Sequence, residues 1–326
     1  MRLRWNWNRW PIAALVLLFS GASAFAHEKW YVDERTMPPG PPVFLRVDPM
    51  FALVAIAVAA ALFLFAVWLD RRLDGSRLTR WVDARMTSAR INPHAVLGAL
   101  IGASLMGAGL QDMLFTPNLA LPASLFGTVL MFVEVGLGTL FLFLEPFYPE
   151  LSLILIVLFA TGFTFLPTHD LLEELLVLGV AVFFITNETK RWPWRIWNTP
   201  ERRRLGYQVF RILVGLNFLV LSSVKWLRPE LALDIVGRYH INFLATLGVS
   251  DLQFVFFAAI VETAVALCIL LRVAFRPAVM VAFIFFTLSI YFLGFRELLG
   301  HLPIKATLFL LFVYGHWHKG EQKLPS

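Results

Sequence analysis

The sequence predicts an all-α integral membrane protein: nine transmembrane helices after a cleaved signal peptide, eight of them forming two parallel four-helix repeats. Three observations carry this expectation. Hydrophobic residues make up 59% of the 326 and charged residues only 15%, with a mean hydropathy of +0.72, which leaves too little polar surface for a soluble domain of this length. Apolar runs long enough, or nearly long enough, to cross a bilayer occupy 50–69, 95–114, 122–144, 151–167, 171–187, 207–227, 252–271, 277–295 and 302–316. Basic residues gather in alternate connections between those runs, as cytoplasmic loops require. The formal charge of +6 therefore reads as loop anchoring beside membrane lipids, and nucleic-acid binding is excluded.

The elements follow in order. Arg2, Arg4 and Arg9, the short apolar stretch Ile12 to Phe19 and the small-residue exit Ala24-Phe25-Ala26 make residues 1–26 a secretory signal peptide, with the mature chain starting at His27. Residues 27–49, rich in charge and proline, form a short periplasmic arm. Residues 50–92 hold the leading span and a loop with Arg71, Arg72, Arg77, Arg80, Arg85 and Arg90. A first four-helix unit fills 93–188, a linker with Lys190, Arg191, Arg195 and Arg202 to Arg204 fills 189–206, a second unit fills 207–318, and 319–326 is a tail. The connections near Phe115 to Leu121 and Pro167 to Asp170 carry no Lys or Arg and belong outside. The expected place is a bacterial inner membrane, with the mature amino terminus periplasmic and the carboxyl terminus cytoplasmic.

The repeat rests on ordered landmarks. Thr116-Pro117-Asn118-Leu119-Ala120-Leu121 aligns with Arg228-Pro229-Glu230-Leu231-Ala232-Leu233, Glu134 with Glu262, and His169 with His301. Four crossings return the chain to its starting side, so two such units are related by an axis along the membrane normal. Arg211, Gly215, Lys225, Pro229 and Glu262, across roughly Glu201 to Lys319, resemble the DoxX/DoxD-type four-helix membrane proteins. The first unit keeps Pro117 and Glu134 but has Met113 where Lys225 lies, so it resembles a degenerate copy. The resemblance implies sulfur-compound or quinone-coupled oxidation, or redox homeostasis, with a quinone as cofactor and a periplasmic redox partner.

Several residues could carry chemistry. A carboxylate at Glu262, about ten residues into its run, is costly near the bilayer midplane without a partner, and Lys225 at the end of the preceding run can reach it. The two form either a structural ion pair or a polar site for a quinone head group or a proton, with Arg228 as a further donor. Glu134 sits at the same depth in the first unit, where Gln111 and Asp112 either bond to it or mark the helix exit. His169, Asp170, Glu173 and Glu174 gather at one outer end, and Arg296, Glu297, His301 and Lys305 at the matching one. They are either solvated at the interface or line a shared external cavity, in which Glu173 and Lys305 could pair. A mature amino-terminal His27 could chelate copper, completed by His169, His240 or His301 with Met37 as a soft ligand, while His316 and His318 mark a cytoplasmic tail. Cys268 alone builds neither a disulfide nor an iron–sulfur site, and the spans hold too few histidines for a bis-histidine haem. The expected role is a membrane subunit supporting quinone-linked redox of a periplasmic or sulfur-compound substrate. The rivals are a small-solute transporter with a path at the repeat interface and a periplasmic copper-handling membrane protein.

Overall fold

The structure, a computed structural model, describes residues 37–73, 76, 77, 80, 81, 84, 92–116, 119–187, 193–293 and 295–314, with the backbone alone given within 290–299. The signal-peptide expectation and His27, Pro117, His316 and His318 fall outside these residues, as do the side chains of Arg296 and Glu297. Among the described residues the chain is helical and contains no strand.

The principal helices are α1 (Pro49–Leu73), α2 (Pro93–Gly109), α3 (Leu125–Phe143), α4 (Tyr148–Gly162), α5 (Leu175–Asn187), α6 (Pro200–Leu227), α7 (Pro229–Tyr239), α8 (Asp251–Leu271), α9 (Phe275–Leu293) and α10 (Phe295–Tyr314). All but α7 coincide with the apolar runs. Their starts are chemically marked: Asn92 Oδ1 accepts from the His94 and Ala95 N–H groups ahead of α2, Thr199 precedes Pro200 of α6, and Ser250 and Gln253 close a capping box on α8. These caps satisfy backbone donors that a bilayer would otherwise leave without partners. Five stretches are long and apolar enough to cross a membrane: α1, α3, the continuous Glu145–Gly162, α6 and α8. The helix α2, the helix α5 and the apolar parts of α9 and α10 (Phe275–Ser289 and Gly300–Tyr314) are shorter. At 13 residues, α5 is only about 20 Å long against a hydrocarbon core of roughly 30 Å.

Several run ends move from their expected places. The second run was expected to reach residue 114, yet α2 stops at Gly109 because Asp112 and Phe115 adopt left-handed backbone (φ 57° and 62°), which ends a helix. The fourth run ends at Gly162, and its expected last residues form a turn leading to the short helix Thr168–Leu172. The stretch between α6 and α8 carries a helix of its own, α7.

Packing pairs the helices in a recurring order. In the first half α2 lies along α3 and α4 along α5; in the second α6 lies along α8 and α9 along α10. The halves join crosswise, α5 on α6 and α10 on α2. Small residues permit the closest approaches: a Cβ on Gly102 would stand 2.6 Å from the Gly138 carbonyl oxygen, and one on Gly215 would stand 2.7 Å from Leu270 Cγ. Arg211 sits beneath Gly215 on α6 and its Nη1 donates to the carbonyls of Ile269 and Leu270, so a cation caps the carboxyl end of α8. The leading helix α1 touches mainly α8 and α9 and leaves Leu53, Ile56, Leu64 and Phe65 exposed, a lipid-facing stripe.

Candidate functional site

The last turn of α6 carries Lys225 and the middle of α8 carries Glu262, and Lys225 Nζ stands 3.0 Å from Glu262 Oε2. Register between the two helices is held beside the pair. Trp226 Nε1 donates to Thr263 Oγ1 at 2.9 Å, and Thr263 Oγ1 donates to Ser222 Oγ at 3.2 Å. The pair borders a cavity of about 1440 Å³, open mouth included, whose walls are otherwise largely apolar. Phe218, Phe257, Val261 and Phe286 supply much of that wall. Ser289 and His301 add a second polar point, with Ser289 Oγ 3.4 Å from His301 Nδ1 and the imidazole edge-on to Phe286 at 4.7 Å between ring centroids. Phe285 and Leu288, which also line the cavity, are exposed.

The roof was not foreseen from the sequence. α7 turns Leu231, Ala232, Ile235 and Val236 inward, and three of these residues line the cavity. The spacing of those four apolar residues is the signal that marks it as an amphipathic helix. The arm described from Met37 onward holds this roof down. Arg46 Nη1 meets Glu230 Oε1 at 3.0 Å, Val43 is fully buried, and Arg228 Nη2 donates to the Met37 carbonyl at 3.2 Å. Arg228, expected as a donor to a bound head group, thus meets the arm and is not among the residues that line the cavity.

The first half arranges its glutamate differently. Glu134 is fully buried, and its Oε1 accepts the Phe115 N–H at 2.5 Å. The Phe115 ring is itself buried and stacks on Phe159 at 5.8 Å. The loop that brings Phe115 there is closed by bonds from Leu114 N to Leu119 O (2.7 Å) and from Leu121 N to Asp112 O (2.9 Å). Gln111 turns back to Gly107 O at 2.7 Å, so it marks the helix exit and leaves Glu134 to the loop.

No family model, curated protein or solved structure matches the chain. The geometry stands by itself.

The polar groups expected at the outer helix ends divide. His169 remains largely exposed, with Nε2 3.3 Å from Asp170 Oδ1. Glu173, Glu174 and His301 are buried, at 5%, 6% and 3% exposure, which replaces solvation by enclosure for these three. They line a narrow crevice between the halves, together with Thr116, Asn217 and Pro303. Thr116 Oγ1 donates to Glu174 Oε1 at 2.7 Å within the first half, and the Leu176 N–H donates to Asn217 Oδ1 at 3.0 Å across the α5–α6 contact. Lys305 lies half-buried one turn beyond His301 on α10. His301 and Leu221 belong to both the crevice and the larger cavity. Among the described residues no three His, Cys, Asp or Glu side chains gather as a metal centre, and His240 is exposed at the left-handed end of α7.

Proposed function

We propose that this chain is an inner-membrane protein of two DoxX-like four-helix units, 93–188 and 207–318, with nine spans and a cleaved amino-terminal signal. In this reading it binds a quinone-class ring beside Lys225 and Glu262 and supports quinone-linked electron transfer involving a periplasmic partner or a sulfur compound. The observation that carries the reading is the ion pair on the wall of an open, phenylalanine-lined cavity. A quinone-class ligand needs that combination: an apolar enclosure for ring and tail, a few polar groups to orient its oxygens, and access from the bilayer. The Lys225 ammonium, paired with Glu262, is one polar point on the wall, and Ser289 with His301 is a second.

The recurring pairing order, α2 on α3 and α4 on α5 against α6 on α8 and α9 on α10, with each unit's last helix on the other's first, supports the parallel repeat. Charge supports the orientation, the cavity end outside and the Arg202 to Arg204 end inside. Alkaline phosphatase fused after Leu119 is accordingly expected to be active and the same fusion after Arg203 inactive; the reverse pattern would invert the placement. Purification in mild detergent followed by lipid extraction is expected to recover near-stoichiometric quinone or quinol, and extracts holding phospholipid alone would remove the assignment. The crevice between the units favours one second reading, a small-solute transporter with its path at Glu173, Glu174 and His301.

A further inference from the structure

At the end of α6 opposite Lys225, basic and apolar side chains are interleaved on an exposed surface. Arg195, Arg202 and Arg204 are exposed there, and so are Ile196 (69%), Trp197 (49%) and Leu205 (59%). The chain fixes part of this surface itself. Trp194 Nε1 donates to Glu150 Oε1 at 3.1 Å and Asn198 Nδ2 to the Ile185 carbonyl at 2.8 Å, which ties the short helix Trp194–Trp197 to α4 and α5. The Arg202 guanidinium lies 4.5 Å from the centroid of the Trp197 ring, and its Nη1 donates to the Trp197 carbonyl at 2.9 Å. Arg204 stands within electrostatic reach of Arg272, the left-handed residue that ends α8 (φ 60°), so like charges from two helices gather here. Residues 188–206 hold six Lys and Arg against two Glu. With Glu150 added the cations still outnumber the acids, whichever of them each carboxylate meets.

We infer that this surface binds anionic phospholipids, with Arg195, Arg202 and Arg204 meeting headgroup phosphates and Ile196, Trp197 and Leu205 lying against the glycerol and upper acyl chains. An arginine fork matches a phosphate with paired N–H groups, and the Trp197 carbonyl takes one of the five donors that Arg202 carries. An indole set between cations and hydrocarbon belongs at headgroup depth. The apolar side chains favour a lipid over free phosphate, since an inorganic anion would leave those faces in water. Cations alone would hold the loop on one side of a bilayer of any lipid. Cations interleaved with exposed apolar residues at the end of a spanning helix select the lipids that carry net negative charge, by about fivefold in affinity for each arginine. The inference does not depend on the ring ligand; it needs only that α6 crosses the membrane.

The test is native mass spectrometry of the purified full-length protein in mild detergent, titrated with dioleoyl phosphatidylglycerol, dioleoyl phosphatidylcholine and inorganic phosphate. Phosphatidylglycerol is expected to be retained about tenfold or more tightly than phosphatidylcholine of the same chains. Arg202→Gln alone is expected to lower phosphatidylglycerol affinity about fivefold and leave phosphatidylcholine unchanged. Arg195→Gln, Arg202→Gln and Arg204→Gln together are expected to level the two lipids. Equal retention in the wild type would overturn the inference, and that comparison carries the test should the triple variant accumulate poorly. A preference that persists in the triple variant would overturn it too, because the charge would be read elsewhere. Complete displacement of phosphatidylglycerol by inorganic phosphate would show that the anion alone is bound and would remove the lipid assignment. None of these outcomes bears on the cavity, whose ligand is read separately by extraction.

Discussion

Removing one member of the Lys225–Glu262 pair, as Lys225→Met or Glu262→Gln, is expected to reduce membrane accumulation to a small fraction of wild type. Each change strands the other group against the apolar side of α6 or α8, and breaking a largely enclosed pair costs about 3 kcal/mol or more. Replacing both together is expected to restore accumulation, because no uncompensated group remains. The first half offers a precedent, with Met113 at the position aligned with Lys225. The restored double variant is expected to lose ring binding, which separates the pair's contribution to folding from its role in the cavity. Fluorescence-detected size exclusion of tagged variants reads the first outcome and titration with decyl-benzoquinone and decyl-benzoquinol the second. Single variants that accumulate normally would show that the two side chains do not depend on each other.

Gly102→Leu is expected to abolish the folded protein. A Cβ at Gly102 falls 2.6 Å from Gly138 O and 3.0 Å from the Leu142 N, both backbone atoms that cannot swing aside. α2 and α3 would have to separate along one of the most extensive contacts in the fold, at a cost of several kcal/mol, beyond the usual 1–3 kcal/mol of overpacking where side chains can shift. Gly136, on the same helix α3, has nothing within 4 Å of a Cβ. Gly136→Leu is therefore expected to leave accumulation unchanged, within about 0.5 kcal/mol. Thermal unfolding monitored by size exclusion distinguishes the two. Equal tolerance of both leucines would contradict the close crossing.

Much of this architecture is legible in the sequence because a bilayer rewards a simple pattern. Each apolar run became a helix, since backbone groups in hydrocarbon must be satisfied within the segment, and Lys225 and Glu262 lie at the depths that let them meet. Hydropathy is blind to other features. Gln111 to Leu121 contains enough apolar residues to extend the second run, yet Asp112 and Phe115 turn left-handed and convert the end of that run into a plug against Glu134. Glu173 and Glu174 look like solvated helix-end residues until the second unit packs across them, a long-range contact that no local pattern carries. Arg228 has the charge and depth of a ligand donor, and only the path of the arm takes it to Met37. The roof helix α7 was readable from its apolar spacing, although its position over the cavity depends on tertiary packing.

The claim on which the account turns is that a ring ligand occupies the cavity beside Lys225 and Glu262, and photolabelling of native membranes with an azidoquinone tests it most directly. The account predicts saturable labelling of peptides from α8 around Phe257 to Glu262 or from α9 around Phe285 to Ser289, suppressed by excess decyl-benzoquinol and absent in the Lys225→Met, Glu262→Gln double variant. Label that falls instead on α1, or on the crevice residues Glu173 and Glu174, or that does not saturate, would contradict it.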